Sequence, residues 1–186
     1  MSNGELPILT GTNLMLRPMS LEDAAPLFQC WSHPEVAHWL GVPQLNSVDD
    51  ARELIRWLLQ MAQEEDSLRW SIVLPGGQVI GSCGYNSWQL RGAFRGEIGC
   101  ELLPDFWGRG FMRESLTLVL DYGFRIMELN RLEAVCHPSN VRGAWLFTAL
   151  GFQREGVLRE YRHTETGFQD AVMYSLLSRD WLTINR

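Results

Sequence analysis

The stretch Trp107-Gly108-Arg109-Gly110-Phe111 constrains this chain more than any other. A short apolar strand pattern, Glu97 to Leu103, runs through Pro104-Asp105-Phe106 into these spaced glycines, and an amphipathic run from about Met112 to Met127 follows directly. Glycine lacks a Cβ, so backbone N–H groups can crowd around an anion at such a turn. The first turn of a helix adds unpaired donors and about half a positive charge. Strand, glycine-spaced turn and helix therefore predict a binding place for a pyrophosphate; a plain tight turn is the other reading the spacing allows. Two named phosphate motifs are excluded. The chain has no G-x-x-x-x-G-K-[ST]. Arg113 takes the third glycine position of a G-x-G-x-x-G, and no regular βαβ series surrounds it.

With 186 residues, 46% hydrophobic and 20% charged, the chain can bury one sizeable core. No repeat, low-complexity tract or linker divides it, so a single domain over 1–186 is expected. The net charge of −6 and a pI near 5.2 carry no basic footprint, which disfavours nucleic acid as a direct partner. The same acidity suits a cationic substrate such as an amine. No apolar run approaches the ~20 residues of a membrane span, and Met1-Ser2-Asn3-Gly4-Glu5 does not read as a signal peptide. Cys30, Cys83, Cys100 and Cys136 form no C-x-x-C pair and read as buried free thiols. His33, His38, His137 and His163 lack zinc-ligand spacing, so no metal is expected. A reducing cytoplasm is the expected location.

Alternation and helical periodicity order the rest. Strands are predicted at Leu14–Pro18, Arg69–Leu74, Gln78–Tyr85, Glu97–Leu103, Leu132–Cys136, Phe152–Tyr161 and Ala171–Leu177. Helices are predicted after Ser20 and Ser47, each an N-cap with an acid three residues on. Two more follow the glycine turn and Asn140, the last closed by Gly151. Trp31 falls on a helical core stripe. Pro34–Pro43 and His163–Asp170 read as loops. Trp39 and Trp88, in loop contexts, are candidates for an acceptor groove. This order gives one α/β or α+β domain with a mixed sheet.

Asn140-Val141-Arg142-Gly143-Ala144-Trp145-Leu146-Phe147-Thr148-Ala149-Leu150-Gly151-Phe152, together with Trp107-Gly108-Arg109-Gly110, resembles the GNAT acyl-CoA N-acetyltransferases. Within that family the chain looks like the RimJ/RimL type, which acetylates protein N-terminal amines. Gly11 to Pro18, Glu155 to Glu160, Gly167, Asp170 and the closing Arg179-Asp180-Trp181 carry this second likeness. The resemblance implies a mixed, mostly antiparallel sheet of six or seven strands, splayed between the fourth and fifth and flanked by about four helices. It implies acetyl-CoA as co-substrate. The amides of Gly108, Arg109, Gly110, Phe111 and Met112 should cradle the pyrophosphate. Backbone groups of Leu102 and Leu103 should bind the pantetheine and polarise the thioester. Trp107, Asn140 and Phe147 complete the implied contacts, although a helix cap alone also accounts for Asn140.

The implied reaction is direct attack of a neutral amine on the thioester, with a carboxylate acting through water as base. A chain N-terminus, with a reference pKa of about 7.7–8.0, needs less help than an alkyl amine near ~10.4. Glu101 and Glu97 share one strand face leading to the cofactor, and Glu160 is a third candidate; a solvated or salt-bridged glutamate is the plain reading of each. Three departures from the family pattern stand out. Gly143 replaces the usual Ser, Phe147 replaces the Tyr often found seven after the Asn, and Asp105, expected to face solvent, replaces Gln or Arg. Three functions are therefore weighed: acetylation of a protein N-terminal α-amine, acetylation of a small amine (polyamine, amino acid or antibiotic), and a non-catalytic CoA-binding module. A homodimer is compatible with the aromatic content.

Overall fold

Alternation places most strands within a few residues of where they form. In the computed structural model, which describes residues 6–40, 44–64, 67–164 and 167–184, they are β1 (Leu9–Thr10), β2 (Met15–Pro18), β3 (Leu68–Val73), β4 (Val79–Gln89), β5 (Arg95–Leu102), β6 (Arg131–Cys136), β7 (Gln153–Thr164) and β8 (Gly167–Leu177). One sheet orders them β1-β2-β3-β4-β5-β6-β8-β7. The β5/β6 ladder is parallel, whereas β1/β2, β2/β3, β3/β4, β6/β8 and β7/β8 are antiparallel. The eighth strand is β1, whose two residues are too few to show alternation. The parallel ladder stops at Ile98↔Ala134, although β5 continues to Leu102.

Residues 1–87 and 99–119 form one compact unit. The two predicted Ser–Asp capping boxes start a 3-10 turn, Leu21–Asp23, that leads into α1 (Ala24–Trp31), and α3 (Val48–Gln63). At the second, Asp50 N donates to Ser47 Oγ at 3.1 Å and Ser47 N to Asp50 Oδ2 at 3.0 Å. At the first, Asp23 is 2% exposed and accepts from Arg17 at 2.5 and 2.8 Å, Ser71 Oγ at 2.7 Å and Ser20 N at 2.9 Å. Burial raises the proton affinity of Asp23, but these donors outweigh it and hold the carboxyl below its ordinary range. Met19, Leu27, Cys30, Trp31, Ala51, Ile55, Val73 and Val79 form the core between these helices and the sheet, with Leu103 and Trp107 packed against it. Fully buried Leu16, Trp70, Ile72, Tyr85 and Leu116 fill the unit elsewhere, and Tyr85 Oη donates to Val119 O at 2.5 Å.

Two expected loops are shorter than predicted. Pro34–Ala37 is a four-residue helix, α2, with proline at its first turn, where its missing N–H costs nothing; Gly41, Val42 and Pro43 lie outside the described residues. The helix after the glycine turn, α4, spans Phe111–Asp121 and gives way to a π turn over Tyr122–Ile126, with Met127 N bonded to Tyr122 O at 3.1 Å. Such a turn adds one residue per rotation and leaves no mark on an apolar stripe.

Residues 88–98 and 120–186 form the second unit. It holds β6, β7, β8, α5 (Val141–Ala149) and α6 (Ser178–Ile184), so the six α-helices among the described residues exceed the four expected by two short ones, α2 and α6. Phe147 stacks its ring 5.6 Å from both Phe152 and Tyr174, and Trp181 Nε1 donates to Asp121 Oδ1 at 2.8 Å. The polar run predicted as a loop instead extends the β7/β8 hairpin through Arg162↔Gln169 and His163↔Phe168. Apart from Phe168 the run from His163 to Asp170 has no large apolar side chain, which removes the apolar/polar alternation that marks a strand. Register shifts at Arg154/Gly156 and Leu158/Arg162, with charged side chains between, blunt β7 as a sheet edge. All four cysteines are free; Cys30, Cys83 and Cys136 are buried and Cys100 is half-buried.

Arg131 bridges Glu133 at 2.7 Å and Glu155 at 2.6 Å. The Arg131 guanidinium and the Ser175 hydroxyl lower the Glu155 carboxyl from 4.5 to about 2. A folded value below the unfolded one contributes stability that is present above pH ~4.5 and lost as the pH falls through ~2. The urea midpoint of Glu155→Gln should fall below that of the native chain at pH 7, and this gap should close between pH 4.5 and 2. A second expectation concerns Gly81, where a Cβ would lie 2.1 Å from Glu101 O. Gly81→Ala should destabilise the fold by about 3 kcal/mol in chemical denaturation.

Candidate active site

Gly108 (φ 73°) and Gly110 (φ 83°) both sit in the left-handed region, and a Cβ at either would meet no atom within 4 Å. Backbone conformation, not crowding, therefore requires glycine at both. Among the described residues, no amide from Gly108 to Met112 donates a hydrogen bond, while the next bonds begin with Glu114 N to Gly110 O at 2.9 Å. Five consecutive N–H groups at the start of an eleven-residue helix are thus unspent. Trp107 fixes the turn from behind, its Nε1 donating to Leu102 O at 2.8 Å. Arg109 lies over the Phe106 ring at 5.6 Å, and Arg113 faces an open groove of about 580 Å³ beside Gly110. Asp105 is exposed, as expected of an acid that must not face the anion. Aligned amides, a helix N-terminus and exposed Arg109 and Arg113 make this turn suited to a pyrophosphate.

The backbone beside it separates the two residues predicted to hold the thioester. Leu103 N donates to Ile80 O at 2.9 Å, so that amide is already spent in the sheet. Leu102, one residue out of phase, directs its N–H and C=O to the opposite strand edge, and its C=O accepts from Trp107.

Glu101 is 13% exposed and engaged on one oxygen. Its Oε2 accepts from the Arg69 guanidinium and from Ser82 Oγ at 2.6 Å. Arg69 also donates to Ser82 Oγ at 2.8 Å and to Asn86 Oδ1 at 3.1 Å. Gly99 makes room for this group: a Cβ there would lie 2.4 Å from Asn86 Oδ1 and 2.8 Å from Arg69 Nη1. Arg69, Ser82 and Asn86 escaped the sequence reading. An arginine alternating with Trp70 and Ile72 in a buried strand was the available signal.

Glu97 and Glu160 belong to the second unit. Glu97 is half-buried and stands opposite Glu133 in the β5/β6 ladder. Glu160 is exposed, left-handed (φ 52°), and anchored through its N–H to Asp170 Oδ1 at 2.8 Å. Asn140 caps α5 as predicted, its Oδ1 accepting from Gly143 N at 2.9 Å. A Cβ at Gly143 would stand 3.0 Å from Asn140 Nδ2, so the serine usual in the family would press on that cap. Phe147 is buried in its aromatic cluster. Among the described residues there is no group of His, Cys, Asp and Glu able to hold a metal, and no helix is long and apolar enough to cross a membrane.

The fold and turn define a GNAT acetyltransferase, and residues 13–153 match the model of the acetyltransferase (GNAT) domain. The chain belongs to that family and is an N-acetyltransferase. It is 38% identical over 169 residues to an uncharacterized N-acetyltransferase of Bacillus licheniformis, p20, covering 90% of this chain and 94% of that one. It is 30% identical over 105 residues to the ribosomal protein uS5-alanine N-acetyltransferase of Escherichia coli (strain K12), covering 56% and 54%. Mycobacterium smegmatis RimJ in complex with CoA-disulfide shares the fold, with a TM-score of 0.86, 20% identity and coverage of 97% and 91%.

Asn140→Ala should cost about 1 kcal/mol of stability by loss of the cap, and Asn140→Asp should restore it, both read by urea denaturation.

Proposed function

We propose that this N-acetyltransferase moves the acetyl group of acetyl-CoA to the α-amine of a protein or peptide N-terminus. The observation that carries the reading is the row of unspent amides from Gly108 to Met112 before α4, which suits the pyrophosphate of CoA. The uS5-alanine acetyltransferase among the relatives supports an α-amine as acceptor. In this reading the enzyme works in the cytoplasm.

The chemistry needs few groups. The amine lone pair attacks the thioester carbon, a C–N bond forms and the C–S bond breaks. The amine proton passes through water to Glu101 and from there to the departing thiolate, so the products are an amide and free CoA. Leu102 N–H supports the negative charge that develops on the thioester oxygen. Glu101 is preferred to Glu97 and Glu160 because it lies in the same unit as the turn, seven residues before Gly108. The family's pantetheine contact is assigned to Asn140 on resemblance.

A second reading, a small polyamine acceptor, draws on charge. Between residues 20 and 66 nine carboxylates stand against two arginines, a balance that attracts cations of either kind.

Thiol release from acetyl-CoA tests both. A peptide with a free N-terminal alanine should be acetylated, and the same peptide blocked at its α-amine should not. Turnover of spermidine alone would favour the second reading, and CoA binding without turnover of any amine would leave only a binding module. Glu101→Gln should lower kcat by about 100-fold or more, with little change in the KM for acetyl-CoA.

A further inference from the structure

The Arg69–Glu101 pair is nearly out of solvent, with side chains 8% and 13% exposed. Two charges so buried lose most of their hydration, and replacing such a pair by apolar side chains is often neutral or stabilising. Arg69 does not recover the loss in full, because its buried Nε has no hydrogen-bond partner among the described residues. Stability therefore gives a poor account of an arginine at this place in β3.

The arrangement around the carboxylate gives a better one. Both donors, Arg69 Nη2 and Ser82 Oγ, converge on Oε2, and among the described residues no hydrogen bond engages Oε1. The Ser82 hydroxyl donates to Glu101 while accepting from Arg69, so its single proton has one place to point. Asn86 steadies the other guanidinium nitrogen, and the missing side chain at Gly99 leaves the space all three need. A glutamate with both oxygens free would rotate about its last torsion. This one is held by one oxygen and presents the other.

We infer that Arg69 and Ser82 are positioning residues that clamp Glu101 by Oε2 and leave Oε1 as the atom that receives the proton of the attacking amine. The inference rests on the proposed function, in which Glu101 is the base. The proton leaves the amine nitrogen as the C–N bond forms, passes through water to Oε1, and departs to the CoA thiolate as the C–S bond breaks.

The test is a double-mutant cycle in the full chain, read as thiol release and thermal midpoint. Arg69→Met should lower kcat by about 30-fold with the KM for acetyl-CoA within about twofold. Ser82→Ala, which removes one donor without stranding a charge, should lower kcat by about fivefold at a nearly native midpoint. Either change made in Glu101→Gln should cost nothing further, because the carboxylate through which it acts is gone. Should Arg69→Met fail to fold, the Ser82→Ala arm decides alone. Equal losses in the native and Glu101→Gln backgrounds, or no loss of kcat, would overturn the clamp. Full activity of Glu101→Gln would instead remove Glu101 as the base, and with it the reading on which the clamp stands.

Discussion

The proposed function depends on a helix that begins without its own donors being spent. Four N–H groups at any helix start lack partners, and here the preceding turn adds to them, so that five consecutive amides from Gly108 to Met112 have no partner among the described residues. Left-handed Gly108 and Gly110 set the path of the turn, and the Trp107 indole pins it to the end of β5 through Leu102 O. The cost of leaving these donors unpaired is small because the turn is exposed. An anion placed there gains hydrogen bonds and the field of α4 together.

The polar side of β3, β4 and β5 has a related logic. Asp23, Ser71, Ser82, Arg69 and Glu101 are buried or nearly so, yet each is bonded to another: Asp23 to Arg17 and Ser71, and Glu101 to Arg69 and Ser82. Buried polar groups are tolerated on such terms. The first cluster staples the start of α1 to the sheet. The second holds a carboxylate in a fixed attitude seven residues ahead of Gly108.

Much of this was legible in the sequence because it obeys local rules. The Ser20 and Ser47 capping boxes, the Asn140 cap and the spaced glycines announce themselves by residue type and spacing, as do strands with one buried face. Features lacking a local signature were not legible. β1 is two residues long, the tip of the β7/β8 hairpin carries mostly polar side chains, and a π turn after Asp121 adds a residue without breaking the stripe. The site divides along the same line. The glycine turn is contiguous in sequence, so its left-handed Gly108 and Gly110 are marked by residue type alone. Glu101 could be named from its strand face, but Arg69, Ser82 and Asn86 come from two other strands, and only their meeting with it reveals them. Leu102 and Leu103 were expected to offer backbone groups, and strand phase, which the sequence does not show, spends the Leu103 amide on Ile80 O in β4.

The central claim is that the amides ahead of α4 receive a diphosphate. It is tested most directly by following backbone 15N–1H resonances while coenzyme A is added. The account predicts that the largest and saturable shifts fall on Gly108, Arg109, Gly110, Phe111 and Met112. Saturable binding that left those five resonances in place, or no binding at all, would contradict it.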